Sequence, residues 1–366
     1  MKKIVIIAGD KSGDLYGGLL SEQLKNKFTN LEIYSFGGDH MAKHSKQIVN
    51  LLSHSVCGLV EVLWSLKKIL KIFKKIKETI LDLKPDLIIL IDFPDFNLKL
   101  AKELNKKFPI IYYVSPQIWA WRKSRIKNIK KYIDKMVVLF EFEKTFYKNE
   151  NMDVLYFGHP LLEIIKKENT ESKKVISFLP GSRKNEIDKH LPIMIKTKKI
   201  IEKELDGYQF RIIRPPNLEK SIYEKFSPNI DIVDHSYKAI KESRFIISCS
   251  GTATVELAIL GVPYLIIYKL NFLSWYILKR LVKLDFVGMV NILAGKKIVE
   301  ELLQKQATPK RIASLTLEYL KNDKKYSELK EKLENITSML YPDNATEKFT
   351  DFIGDYLKLT EKNSTS

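Results

Sequence analysis

The chain has 366 residues, 45% of them hydrophobic and 29% charged, which is enough apolar material for two globular cores and excludes a disordered chain. Lys and Arg outnumber Asp and Glu by 62 to 44, and the net charge of +18 predicts anionic partners without choosing among nucleic acid, acidic lipid headgroups and nucleotide phosphates. Two distant cysteines, Cys57 and Cys249, exclude a disulfide framework or a cysteine zinc site, and no uncharged run approaches the ~20 residues that cross a bilayer.

A reducing, cytoplasmic setting with at most peripheral membrane contact is therefore expected. The opening MKKIVIIAGDKSGD is too briefly apolar for a signal peptide and reads as a first strand, Ile4 to Ala8. Gly9 to Asp14 follows as a turn into a helix over 15–28. It lacks both the GxGxxG and the GxxxxGK[ST] spacing, so a dinucleotide or P-loop reading loses support. Ser12 and Asp14 at this strand end either line a cleft or only close a turn. Leu31 to Phe36 is a second strand, ending in Gly37-Gly38.

From Val56 to Ile80, Leu59, Leu63, Leu66, Leu70, Phe73, Ile76 and Ile80 recur at steps of three and four, which predicts a helix with one apolar face. Lys67, Lys68, Lys71 and Lys74 fill much of the remainder, and Trp64 and Phe73 are bulky residues of the kind that membrane interfaces favour. A basic amphipathic helix on an anionic membrane fits this pattern, as does a core-facing helix with a solvated lysine face.

Leu87 to Asp92 is a buried parallel strand. A partly desolvated carboxylate at its carboxyl end can act as a general base, so Asp92 is a candidate, while Asp95 after Pro94 suits a helix cap. Ile110 to Val114 runs into SPQIWAWR, where two Trp and an Arg suit a sugar or acyl platform or plain packing. Strands at 135–139 and 154–157 end at Gly158-His159-Pro160, with His159 read as a linker or cap.

The polar stretch 161–174 predicts the domain boundary. A fresh strand from Val175 passes into Pro180-Gly181-Ser182-Arg183, and an Arg at a helix entrance can grip a diphosphate with a bidentate fork; a solvent-exposed turn arginine is the competing reading. Further strands fall at 210–213, 230–233, 245–248 and 264–268. Between the last two, Ser250, Gly251, Thr252, Ala253 and Thr254 lead a helix that suits a phosphate, with Glu256 able to accept from a ribose diol. An ordinary structural βαβ unit shares the pattern. The fold class is thus α/β with two doubly wound, Rossmann-like domains facing an inter-domain cleft. The domains span 1–165 and 172–344, followed by a C-terminal helix and frayed tail over 345–366 whose helices can cross back to the first domain.

Nine short segments in register carry a resemblance over nearly the whole chain: AGDKSGD, GLVEVL, IDFPDFN, YYVSPQIWAWR, FGHPL, LPGSR, SGTATVE, NILAG and ELLQ. Together they resemble the lipid A disaccharide synthase family of glycosyltransferases. The resemblance implies the GT-B fold and transfer of 2,3-diacylglucosamine from its UDP conjugate to 2,3-diacylglucosamine 1-phosphate. The products are UDP and a β-1,6-linked disaccharide phosphate, formed with inversion and without a metal or other cofactor. It implies Asp92 as base and Arg183 as essential, with UDP-sugar contacts from Gly181, Ser182, the segment Ser250–Glu256, Asn291 and Gln304. It also implies acceptor- or membrane-facing roles for Ser12, Asp14, Leu63, Trp64, Lys67, Lys68, Lys71, Phe73 and Lys74. Partners would be the two acylated substrates and the anionic inner-membrane surface, with no nucleic acid, and a homodimer is left open. Asp10-Lys11, Asp39-His40 and Met289-Val290 depart from the family pattern. A GT-B transferase with another lipid-linked acceptor, and a non-catalytic basic membrane- or nucleic-acid-binding protein, are the competing functions.

Overall fold

The computed structural model describes residues 1–52, 61–165, 170–216, 218–227, 229–271 and 285–362, with side chains from residue 69 onward in the helix Glu61–Leu83. The chain divides into two compact units, one formed by 1–163 with 340–366 and the other by 164–339.

The first unit holds seven parallel strands: β1 (Lys2–Ala8), β2 (Leu31–Gly37), β3 (Lys46–Asn50), β4 (Leu87–Ile91), β5 (Ile110–Tyr113), β6 (Lys135–Val138) and β7 (Leu155–Tyr156). Their order is β3-β2-β1-β4-β5-β6-β7. Helices cover both faces, so the central strands are apolar without alternation, and Ile4–Ala8 and Leu87–Ile91 are fully buried. Each such side chain contributes ~1.5–3 kcal/mol of burial. The second unit repeats the scheme with β8 (Val175–Leu179), β9 (Gln209–Arg214), β10 (Asp231–Asp234), β11 (Phe245–Cys249), β12 (Tyr264–Tyr268) and β13 (Glu301–Leu303), in the order β10-β9-β8-β11-β12-β13.

Each sheet reverses its winding once, between β1 and β4 in the first unit and between β8 and β11 in the second. In open α/β sheets ligands bind beyond the carboxyl ends of the strands at such a switch point. Here Ala8 stands opposite Ile91, and Leu179 opposite Ser248. The strand ends carrying Asp10 and Asp92, and those carrying Gly181–Arg183 and Ser250–Thr252, are therefore neighbours.

Several sequence expectations change. The helix after β1 starts at Lys11, not Leu15, because Asp10 caps it by accepting from the Gly13 N–H at 2.7 Å. β3 and β13 went unread, being short and only partly apolar. The start of the expected basic helix, 56–60, and the side chains of Leu63, Trp64, Lys67 and Lys68, lie outside the described residues. Phe73 does not face outward: with Ile76 and Ile80 it enters the core, edge-on to Phe96 at 5.1 Å. Lys71 and Lys74 are exposed, as are Ile69 and Leu70 at 48% each.

The last helix, Ala345–Leu357, joins the first unit. Phe349 packs on Tyr113 with ring centres 4.8 Å apart, and Asp351 pairs with Lys27 at 2.6 Å. Gly354 lies so close to Phe28 that a Cβ there would meet the ring at 2.3 Å.

Candidate active site

At the switch point of the first unit, β4 ends in two consecutive left-handed residues, Asp92 (φ +42°) and Phe93 (φ +48°). Residues with side chains avoid this conformation at a cost of ~1–3 kcal/mol, so it persists only where neighbours hold it, and such strain clusters at working sites. The neighbours are identifiable. The Asp92 N–H donates to the Tyr113 carbonyl at 3.0 Å, and its carbonyl accepts from the Tyr112 hydroxyl at 2.5 Å and the Asn97 amide at 2.8 Å. The ring of Phe93 folds over Gly9, where a Cβ would sit 2.3 Å from it. β5 ends with the same kind of strain at Val114 (φ +65°), a β-branched residue for which it is rarer still.

This turn brings the Asp92 carboxyl close enough to that of Asp10 to feel its charge. Burial first, and then the Asp10 charge beside it, push Asp92 up to about 7. A carboxyl that gives and takes its proton near neutrality is matched to general-base work. Behind it lies a second carboxyl, Glu143, which accepts from the Trp119 indole and from the Leu139 and Phe140 N–H groups, each at 3.2 Å. Burial pushes Glu143 up to about 7 as well. Ser115 and Tyr147 bond each other at 2.8 Å within the same wall.

Other expected acceptor-side residues turn inward. Asp14 is buried and its carboxylate accepts from the Gly38, His40 and Met41 N–H groups at 2.7, 3.0 and 3.2 Å, so it fixes the loop after β2 and has no room for a ligand. Ser12 is half-buried in the first turn of its helix. His159 is buried as a cap, its Nδ1 accepting from the Leu161 N–H at 3.2 Å.

In the second unit, the turn after β8 is shaped by Gly181 (φ +128°), where any Cβ would lie 2.5 Å from the Glu186 carboxylate. That carboxylate accepts from the Ser182 N–H at 2.9 Å and stands 3.6 Å from the Arg183 guanidinium. The Arg183 side chain is 72% exposed at the entrance of the 18-residue helix Lys184–Ile201, so positive charge and helix dipole point the same way. His190, which the sequence reading passed over, ties this turn to β12. Its Nε2 accepts from the Lys269 N–H at 2.9 Å, which leaves Nδ1 to donate to the Pro180 carbonyl at 3.0 Å, and burial favours that neutral tautomer.

Across the switch point, Gly251 (φ +146°) has open space where a Cβ would be, so a ligand can approach its backbone. Ser250 donates to the Val287 carbonyl at 3.4 Å. The helix behind, Ala253–Ile259, is only seven residues long, Thr252 is its N-cap residue and Ala253 opens its first turn. Thr254 is buried and spends its hydroxyl on the Gly251 carbonyl at 2.8 Å. Glu256 already has a partner, His235 Nε2 at 3.1 Å. Asn291, expected as a ligand contact, is fully buried. Its amide donates to the Val299 carbonyl and to Glu301, and its oxygen accepts from the Ile298 and Val299 N–H groups, so every polar site is used internally. Glu301 also holds the Val287 and Gly288 N–H groups at 2.9 and 2.8 Å, an anchoring role hidden in a short apolar-acidic motif. Gln304, at φ +50°, sets its side-chain amide against the backbone of Leu270.

The description of the lipid-A-disaccharide synthetase (LpxB) family matches residues 4–348. The chain belongs to this family. Among its curated relatives, the lipid-A-disaccharide synthase of Coxiella burnetii (strain RSA 331 / Henzerling II) is 37% identical, covering 94% of this chain and 96% of that one. That of Syntrophus aciditrophicus (strain SB) is 34% identical over 95% and 96%. Lipid-A-disaccharide synthase 1 of Legionella pneumophila (strain Lens) is 39% identical over 82% and 84%. Among solved structures, a UDP-GlcNAc 2-epimerase from Neisseria meningitidis bound to UDP-GlcNAc superposes with a TM-score of 0.67 at 14% identity, covering 97% of this chain and all of that one. The calicheamicin glycosyltransferase CalG4 gives 0.60 at 14% identity over the whole of both chains. At such identities these likenesses speak for the fold alone, and the fold of this family member is GT-B.

Proposed function

We propose that this family member, whose role is lipid A disaccharide synthesis, works with Asp92 as its general base and the Arg183 turn as its UDP grip. The acceptor, 2,3-diacylglucosamine 1-phosphate, presents its 6-hydroxyl to Asp92. As the proton passes to the carboxylate, the hydroxyl oxygen bonds to the donor anomeric carbon, and the bond from that carbon to UDP breaks on the opposite face, giving inversion. Positioned proton removal of this kind is worth ~10²- to 10⁴-fold. The charge growing on UDP meets Arg183, the amino end of Lys184–Ile201 and the open backbone at Gly251. Ser182, Thr252 and Ala253 border the same strand ends, while Thr254, Glu256, Asn291 and Gln304 act by shaping the turns that carry them.

The observation that carries this reading is the left-handed turn that sets Asp92 against Asp10 at the switch point, with its carboxyl pushed up to about 7. Mass spectrometry of the product from UDP-diacylglucosamine and the monosaccharide 1-phosphate tests it. A tetra-acylated disaccharide phosphate is expected, and its absence, or its formation at a near-normal rate by Asp92→Asn, would overturn the assignment.

Both substrates carry acyl chains, which favours peripheral work at an anionic membrane. Exposed Ile69 and Leu70 beside exposed Lys71 and Lys74 support that setting, since apolar area and basic charge add at a lipid surface. Among the described residues no helix is long and apolar enough to cross a membrane.

A further inference from the structure

We infer that Arg122 and Arg125 form a preset clamp for the anomeric phosphate of the acceptor, which deepens the reading of the first unit given above and rests on it. The two guanidiniums meet on one atom, Asp95 Oδ1, with Arg122 at 2.8 Å and Arg125 in direct contact. Asp95 lies three residues beyond Asp92, in the first turn of the helix Pro94–Leu104, and the arginines follow β5, the strand beside β4. Asp95 thus ties both arginines to the turn that follows Asp92.

Its construction suits a phosphomonoester. The Arg122 guanidinium lies over the Trp121 ring at 4.3 Å and that of Arg125 at 5.7 Å, so both planes are oriented before any ligand arrives. Arg122 adopts a left-handed backbone (φ +53°) at the head of the short turn Lys123–Arg125, so its direction is fixed by a conformation that neighbours must hold. Each guanidinium carries five N–H donors and Asp95 engages one nitrogen of each, so two positive charges face one negative charge. With Asp95 74% exposed and Arg122 46% exposed, the Arg122 pair adds little to stability. Planar forks of this kind match the oxygens of a phosphate, and the one surplus positive charge favours an anion there. The same chemistry could serve a phospholipid headgroup, and the two sources are separable.

The test compares wild type, Arg122→Gln and Arg125→Gln in steady-state kinetics on two acceptors, diacylglucosamine 1-phosphate and its dephosphorylated form. Loss of a charge-assisted bond should raise KM for the phosphorylated acceptor by ~10- to 100-fold. KM for the dephosphorylated acceptor and for UDP-diacylglucosamine should stay unchanged. Equal losses on both acceptors, a shift confined to the UDP-sugar, or no shift at all would each overturn the clamp. In a second arm, flotation with phosphatidylglycerol vesicles should be unaffected by either substitution. Lost flotation with an unaltered preference for the phosphorylated acceptor would assign the pair to lipid and overturn the proposal. The exposed Arg122 gives a variant whose fold is safe should Arg125→Gln unfold. A wild type that makes no disaccharide from either acceptor would refute the underlying reading instead.

Discussion

Replacing Asp92 by Asn should make the protein more stable and nearly inactive, and the gain should depend on pH with a definite sign. In the unfolded chain Asp92 releases its proton near 3.8, whereas in the folded chain burial and Asp10 hold that proton until about 7. Between these values the folded state binds more protons than the unfolded one, so rising pH drains stability. A gap of about 3 pH units at about 1.4 kcal/mol each sets an upper bound of about 4 kcal/mol. Asn carries no charge to desolvate and does not repel the Asp10 carboxylate. Urea titrations followed by tryptophan emission, to which Trp119 and Trp121 contribute from the first unit, would read the difference. Wild type and variant should unfold together near pH 4, and the variant should pull ahead through neutrality to a plateau above about pH 8. Equal midpoints at pH 8, or a gain already complete at pH 4, would refute the claim that the Asp92 carboxylate is held against its own solvation.

The activity of the wild type should fall tenfold per pH unit below about 7, and Asp10→Asn should move that limb to lower pH, because removing a neighbouring negative charge eases ionisation of Asp92. Arg183→Ala should cost ~10²- to 10³-fold in kcat, a loss of the size seen when one stabilising donor is removed, with an unchanged melting temperature since the side chain is mostly exposed. His190→Ala should lower stability by ~2–3 kcal/mol and weaken UDP binding in calorimetry, as it strands the Lys269 N–H and frees the Pro180 turn. Ile69→Ser with Leu70→Ser should reduce cosedimentation with anionic vesicles while leaving unfolding unchanged, because neither side chain belongs to the core.

The central strands were legible because a strand buried on both faces must be an unbroken apolar run, as in IVIIA and LIILI. β3 and β13 lack that signature, since Lys46–Asn50 is only half-buried at a sheet edge and Glu301–Leu303 spans three residues. As candidates, Asp92 and Arg183 could be picked out because each stands just beyond a strand's carboxyl end, where open α/β sheets bind ligands. The supporting roles could not. Asn291 and Asp14 are polar residues in short motifs, which reads as ligand contact, yet each spends its hydrogen bonds inside the protein, on groups brought beside it by folding. The pairing of Asp95 with Arg125 across 30 residues, and of His190 with Lys269 across 79, likewise exists only once strands lie side by side. Phe73 was misread because a large aromatic looks the same from sequence whether a helix turns it to lipid or to Phe96.

The return of residues 340–366 to the first unit has a consequence for how this polypeptide is made. On the ribosome, the stretch 164–339 emerges whole and can settle as soon as it clears the exit tunnel, while the amino-terminal part, synthesised earlier, must wait for its closing helix. Until Phe349 and Gly354 arrive, the surfaces of Tyr113 and Phe28 that they cover stay open to solvent and to other chains. The half of the enzyme that carries Asp92 is thus begun first and finished last.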